Sequence, residues 1–297
     1  MSLVINHNMM AMNAARNLSS SYTNLATSVR RLSSGLRVGQ ASDDAAGLGV
    51  RELMRADIAA LNQGVRNAND AISLIQTADG ALGVIDEKLI RMKELAEQAA
   101  TGTYNSDQRL MIESEYQAMA SEITRIANAT DFNGVHLLNG NLSGDVHVGT
   151  GLVSTGKLKV HFGTANDSAE DYYYIKIGNS TASALGVGNQ GLATNDAYTV
   201  STQAQAQKAL VGLNNAIISK DKIRANLGAM QNRLENTVSN LQIQAENLQA
   251  AESRISDVDV ATEMTEFVRN QILSQAATAM LSQANSLPRM AMNLIQG

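Results

Sequence analysis

Between residues 54 and 96 apolar positions recur seven apart: Met54, Leu61, Ala68, Ile75, Leu82, Leu89 and Ala96, with Ile58, Val65 and Ile72 four residues after the first three. This repeat draws one apolar stripe along a helix and predicts partner helices packed lengthwise against it. No proline interrupts the run, which would extend roughly 65 Å as a helix. Past Asp79 the second apolar position moves to Ile85 and Met92, three residues after the stripe instead of four. With Gly80 and Gly83 at the change, a local bend or rotation of the stripe is expected there. A second strict repeat, Leu227, Leu234, Leu241, Leu248 and Ile255, is flanked by Ile223 and Met230. A shorter seam, Ile112, Tyr116, Met119, Ile123 and Ile126, follows a turn at 102–105, with Ser106 or Asp107 placed to cap it. The chain reads as mainly α: a long antiparallel helical rod with terminal coiled-coil helices and a small β-hairpin region mid-chain.

The two ends carry their own patterns. Leu18, Tyr22, Leu25, Val29, Leu32 and Leu36 alternate four and three apart near the N-terminus. Phe267, Ile272, Met280 and Leu287 belong to a strongly apolar C-terminal stretch in which Arg289 is the only charge from residue 270 onward. Residues 1–42 contain Arg16, Arg30, Arg31 and Arg37 and no acid; residues 256–297 contain Asp257, Asp259, Glu263 and Glu266 against Arg269 and Arg289. Two readings stand: ordinary terminal helices packed on a domain, or arms exposing too much apolar surface to stay ordered except against each other and against copies of themselves. Opposite charge suits pairing of the arms, although exposed ion pairs contribute little individually.

The middle differs in texture. Residues 139–200 are rich in Gly, Asn, Ser and Thr, with strand-like runs at 145–148, 157–162 and 172–177. About 60 residues suffice for hairpins but not for another full-sized domain. Ser42 or Asp43 is placed to cap the long helix after Gly35 and Gly39.

Composition supports a structural role. Aromatics are 3%, proline occurs once, and cysteine and tryptophan are absent, which removes disulfides and thiol chemistry. A net charge of −5 suggests no nucleic-acid binding. The start, Met1 to Asn6, shows no cleaved secretory signal, and no apolar run approaches the ~20 residues of a membrane span. His7, His136, His147 and His161 form no metalloprotease motif. No enzyme, metal or cofactor is expected.

Several segments together resemble one family. Residues Arg31 to Arg37 (RLSSGLR), Asp43 to Gly47 (DDAAG) and Arg66 to Asp70 (RNAND) are similar to the N-terminal signature of bacterial flagellin. The turn Phe132-Asn133-Gly134, and the run from Gln271 through Ser282-Gln283-Ala284-Asn285 to Pro288, resemble later parts of the same family. The resemblance covers roughly residues 1–140 and 205–297, and implies a minimal flagellin without large outer domains. It divides the chain into an N-terminal arm (1–43), a rod domain (44–255, with the β region at about 139–200) and a C-terminal arm (256–297). It implies a helical homopolymer used for motility, located in an extracellular filament and exported without a cleaved signal peptide. Implied partners are copies of itself, a flagellar export chaperone, and filament-cap and hook-junction proteins. Arg91-Met92-Lys93-Glu94-Leu95 is similar to the segment read by the innate flagellin-sensing Toll-like receptor, and the facing glutamate falls at Glu115. Arg91, Leu95 and Glu115 are thereby the expected recognition residues, Arg91 and Leu95 sharing a helix face at four-residue spacing. Alternative roles are a hook–filament junction protein sharing the terminal helices, or a secreted coiled-coil effector or translocator.

Overall fold

The computed structural model describes residues 8–147, 155–168, 170–188 and 199–296, excluding the side chains at 287, 289 and 291–296. Among them run helices α1 (Met9–Ser34), α2 (Ala45–Ala100), α3 (Ser106–Ala129), α4 (Gln203–Ser256) and α5 (Val260–Gln296). Two small antiparallel ladders lie between α3 and α4: β1 (Asp131–Phe132) with β2 (Val135–His136), and β3 (Leu158–His161) with β4 (Tyr172–Ile175). The chain divides into two compact units, residues 1–58 with 246–297 and residues 59–245.

In the second unit the long repeat of α2 is buried, but its partner positions differ from the expected ones. Leu61, Ala68, Ile75, Leu82, Leu89 and Ala96 are buried, and between them so are Gly64, Ala71, Ala78, Ile85, Met92 and Ala99. The second position is therefore three residues after the first along this whole stretch. Val65 and Ile72 are only half-buried. The predicted change of register at Asp79 does not occur, and α2 continues as one helix through Gly80 and Gly83. In the first half of this stretch small residues, Gly64, Ala71 and Ala78, occupy the inner position and the bulky Val65 and Ile72, one residue further on, are turned toward the flank; Ile85 and Met92 fill it beyond.

The same substitution of small for large recurs on α3. Ile112, Tyr116 and Ile123 are buried as expected, but Ala120 and Ala127 fill the positions beside them while Met119 and Ile126 stay half-buried. Asn105 caps this helix in place of Ser106 or Asp107, exchanging hydrogen bonds with Gln108 in a capping box. Arg109 Nε reaches the Ala99 carbonyl at 3.0 Å, and Arg91 of α2 bonds to Glu115. These pairings set α3 antiparallel to α2.

On α4 the repeat extends further toward the N-terminus than its leucines show. Ala206, Leu213, Lys220, Leu227, Leu234 and Leu241 are buried at seven-residue spacing. Lys220 is 1% exposed inside this apolar line. Its Nζ lies 2.5 Å from Asp86 Oδ1 on α2 and 2.7 Å from Asp221. One turn on, Arg224 Nε bonds to Asp79 at 2.7 Å, and this guanidinium holds the Asp79 carboxyl below its ordinary value. The two cross-links run in opposite chain directions, so α2 and α4 are antiparallel.

The hairpins close onto this helical layer. Asn133 and Gly134 have φ of 51° and 80°, the left-handed pair that a two-residue hairpin requires. In β3–β4, Val160 pairs with Tyr173 and Lys159 with Tyr174. Tyr173 packs on Phe162 and beneath Arg233 of α4. Tyr172 and Tyr174 lie under Lys159 and Lys157 on the other face. Asn67 Nδ2 donates to the His161 carbonyl at 2.8 Å, fixing the ladder against α2. The expected strand at 145–148 does not form over residues 145–147, and Val148 lies outside the described residues. His147 instead shares a 2.8 Å hydrogen bond with the Lys157 carbonyl.

Gly64 makes this approach possible, because an added Cβ would collide with the Phe162 backbone carbonyl. Gly64→Ala gains up to ~1 kcal/mol of helix propensity but forces apart two backbones, an overpacking cost of about 1–3 kcal/mol. The expected urea midpoint is lower than that of the parent chain. Gly80→Ala, which meets nothing within 4 Å, keeps the propensity gain and raises the midpoint.

Candidate assembly and recognition surfaces

The first unit is built around the pairing of α1 with α5. Asn8 Nδ2 donates to the Ala284 carbonyl at 2.8 Å, while Arg31 pairs with Glu263 at 3.5 Å, so the helices run antiparallel. Glu263 lies in the first turn of α5, where the helix dipole favours an acid. Gly35 ends α1 at φ 72°, and its carbonyl accepts from Val258 N–H at 3.0 Å. Arg37 N–H donates to the Ser256 carbonyl and its side chain to that of Ile255. The loop that follows is held from within: buried Arg51 donates to the Val38 carbonyl at 2.6 Å, and Asp43 accepts from Arg30, Gly39 and Gln40. Arg30 in particular lowers the Asp43 carboxyl from its ordinary value. Asp44, rather than Ser42 or Asp43, caps α2 by accepting from Gly47 N–H at 2.9 Å.

The inner faces of the two arms are narrow. On α1, Ala11, Leu18, Leu25 and Leu32 alternate with Ala14, Ser21 and Ser28 as the half-buried or buried positions. On α5 the corresponding positions are Glu263, Phe267, Asn270, Ser274, Ala277, Leu281 and Ala284. Of the arm residues singled out by the sequence, Leu18, Leu25, Leu32, Leu36 and Phe267 are half-buried. Tyr22 (52% exposed), Val29, Ile272 (60%) and Met280 (60%) point away from the seam. The Leu287 side chain lies outside the described set. Ser21 and Ser28 hold the places given by spacing to Tyr22 and Val29; a hydroxyl side chain lets the helices approach more closely than a tyrosine or valine would. Sequence reasoning missed these serines, and also Asn270 and Ser274, because it searched for large apolar residues. The signal was present in the three-residue offset from each leucine.

The arms consequently carry exposed apolar residues on both helices, and a groove of about 740 Å³ opens between them, lined by Met10, Asn17, Ser21, Asn270, Leu273 and Met280. Val268 and Leu273 are also exposed. A single copy leaves this surface to solvent.

The second expected site lies on α2 and α3. Arg91 Nε and Nη2 both donate to Glu115 Oε1, at 3.0 and 2.8 Å, and Nη1 donates to Glu94 at 2.9 Å. Hydrogen bonding to Glu115 and then Glu94 raises the Arg91 guanidinium above its ordinary value. Arg91 and Glu115 form an exposed pair. Leu95 does not join them at the surface: it is 2% exposed, buried among the core positions of α2. A four-residue step advances 400°, so Leu95 is rotated by about 40° from Arg91 toward the buried seam. Among the described residues no group of three His, Asp or Glu side chains is placed to hold a metal ion, and no helix is long and apolar enough to cross a membrane.

Comparison with known proteins follows this geometry. The family model of the bacterial flagellin N-terminal helical region matches residues 5–143, and that of the C-terminal helical region matches residues 210–295. The chain is 41% identical to the flagellar filament 33 kDa core protein of Treponema phagedenis over 99% of this chain and 100% of that one. It is 41% identical to a flagellin of Bacillus subtilis, covering 98% of this chain and 99% of the relative. A putative flagellar hook-associated protein from Vibrio parahaemolyticus shares the fold, with a TM-score of 0.55 at 14% identity over 72% of this chain and 100% of that chain.

The narrow seam predicts a particular sensitivity. Ser274→Leu places a bulky side chain at a position only 7% exposed, an overpacking cost of about 1–3 kcal/mol. Hydrogen–deuterium exchange should show faster exchange across α1 and α5 in this variant, with α3 unchanged.

Proposed function

We infer the role of this chain from a premise that both family models and the full-length relatives support: it belongs to the bacterial flagellin family. It is a structural subunit of the flagellar filament, the polymer used for motility, and not an enzyme. The relatives are covered from end to end, so the chain is a minimal flagellin and its short β region stands where larger members would carry outer domains.

The proposed mechanism is folding coupled to assembly. The carrying observation is the orientation of the arms: the fully buried positions of their mutual seam (Ser28, Glu263, Asn270, Ser274 and Ala284) are small or polar and its leucines are only half-buried, while Tyr22, Val29, Ile272 and Met280 remain outside it. Burying a large apolar side chain contributes roughly 1.5–3 kcal/mol, whereas ordering each residue costs about 1–2 kcal/mol. Contacts with neighbouring copies offset that cost. Repeated contact between different faces, with a rotation that does not close into a ring, generates an open helical polymer. In this reading residues 1–43 and 256–297 form the inner core of the filament and 44–255 its rod segment. The same arms are the surfaces that an export chaperone, a filament cap and hook-junction proteins would meet.

Sedimentation after seeding with filament fragments tests the mechanism. The full-length chain should elongate seeds and pellet; a chain lacking residues 1–36 and 270–297 should stay in the supernatant as a helical monomer. Pelleting of the truncated chain as filaments would remove the arms from the mechanism.

A second reading concerns the free subunit. We propose that the innate flagellin-sensing Toll-like receptor contacts the exposed Arg91–Glu115 pair, with Leu95 acting from beneath by fixing the packing of α2. Support comes from the resemblance of residues 91–95 to the family's receptor-read segment and from the exposure of the pair. Loss of a hot-spot arginine typically costs at least ~2 kcal/mol, so Arg91→Ala should lower receptor signalling by the monomer at least about tenfold. Unchanged signalling in a reporter-cell titration would refute this assignment.

A further inference from the structure

Sulfur is concentrated on the outer surface of the two arms. Of thirteen methionines, Met9, Met10, Met12, Met264, Met280 and Met290 lie on α1 and α5 and are between 43% and 60% exposed. Met92 is fully buried in the second unit, and Met54, Met119 and Met230 are half-buried. Met10 and Met280, one from each arm, line the same groove. The chain contains no cysteine, so thioethers are its only sulfur and the side chains most open to two-electron oxidation.

We propose that these six arm methionines form an oxidant-sensitive site that switches the free subunit out of assembly and is sheltered once the subunit has polymerised. The inference rests on the assembly role proposed for the same arms. Methionine suits a surface that must pack against another copy, because its unbranched thioether adapts to irregular gaps. The same thioether lone pair attacks the terminal oxygen of a hydroperoxide. An S–O bond forms as the peroxide O–O bond breaks; sulfur is oxidised by two electrons and hydrogen peroxide is reduced to water. The product is a sulfoxide, whose oxygen is a strong acceptor in place of an apolar surface. Burying that oxygen against a neighbouring copy without a donor is unfavourable, and six such groups on two adjoining helices act on one interface. Reduction of the sulfoxide restores the thioether, so the block is reversible.

The test uses full-length chain, with hydrogen peroxide as the oxidant, applied to monomer and to preassembled filaments. Peptide mass spectrometry should find one added oxygen at Met9, Met10, Met12, Met264, Met280 and Met290 in the monomer, much less in the filament, and none at Met92 in either. The oxidised monomer should need at least about a tenfold higher concentration to elongate seeds, and treatment with methionine sulfoxide reductases should restore elongation. Met111 is 73% exposed on α3; Met111→Leu should polymerise normally and remain equally sensitive to peroxide. Equal oxidation of monomer and filament, undiminished elongation by the oxidised monomer, absence of rescue on reduction, or resistance conferred by Met111→Leu would each overturn the proposal. Failure of untreated chain to elongate seeds would instead overturn the assembly reading on which it rests.

Discussion

Close approach of helices is the constraint from which most of this molecule follows. Two helix backbones draw together only where the side chains between them are small at regular intervals. Here that interval is kept by glycine, alanine or serine three residues after each seven-residue position along α1 and the first half of the buried stretch of α2. Leu18 and Leu25 are followed by Ser21 and Ser28; Leu61, Ala68 and Ile75 by Gly64, Ala71 and Ala78. The next residue in the chain is often bulky, and it is displaced to the side of the contact. One packing rule therefore decides both what is inside each helix pair and what remains outside it.

The two units use the rule to opposite ends. In residues 59–245 the displaced side chains are few beside a core of Leu82, Ile85, Leu89, Tyr116, Ile123 and Leu227, all at most 2% exposed. That unit encloses most of its large apolar side chains. In the arms, leucine supplies most of the large buried surface of α1, and α5 contributes Glu263, Asn270 and Ser274 to the fully buried positions. What is displaced there, Tyr22, Val29, Ile272 and Met280 among others, exceeds what is enclosed. In the proposed assembly mechanism, an arm of this kind draws its stability from neighbouring copies.

Much of this was legible in advance. Seams of apolar residues located α1 to α4 and a strongly apolar stretch located α5. The Phe132-Asn133-Gly134 turn marked the end of α3 without revealing the β1–β2 hairpin, which lies ahead of the expected β region, and the alternation at 157–162 and 172–177 located β3 and β4. What escaped were residues whose contribution depends on being small. A hydrophobic pattern gives no weight to Gly64 or Ser28, so Val65 and Val29 were assigned in their stead and a change of register was inferred at Asp79. Leu95 illustrates the complementary difficulty: spacing placed it beside Arg91, but the side of the helix on which a residue finally lies depends on where the partner helices sit. Lys220 was equally invisible, because a lysine reads as a surface residue until its seven-residue phase with Leu227 is noticed.

That lysine has a mechanical consequence. A strictly repeating leucine line is degenerate: sliding one helix past another by a full repeat, about 10 Å, returns leucine to leucine and costs little at the contact itself. Lys220 facing Asp86, with Arg224 facing Asp79 one turn away, marks a single position along that line. Any slide would strand an ammonium group among aliphatic side chains, a heavy desolvation penalty. The α2–α4 pair thus carries an index mark that opposes ratcheting of one helix past the other, at the expense of two polar pairs in an otherwise repetitive stack.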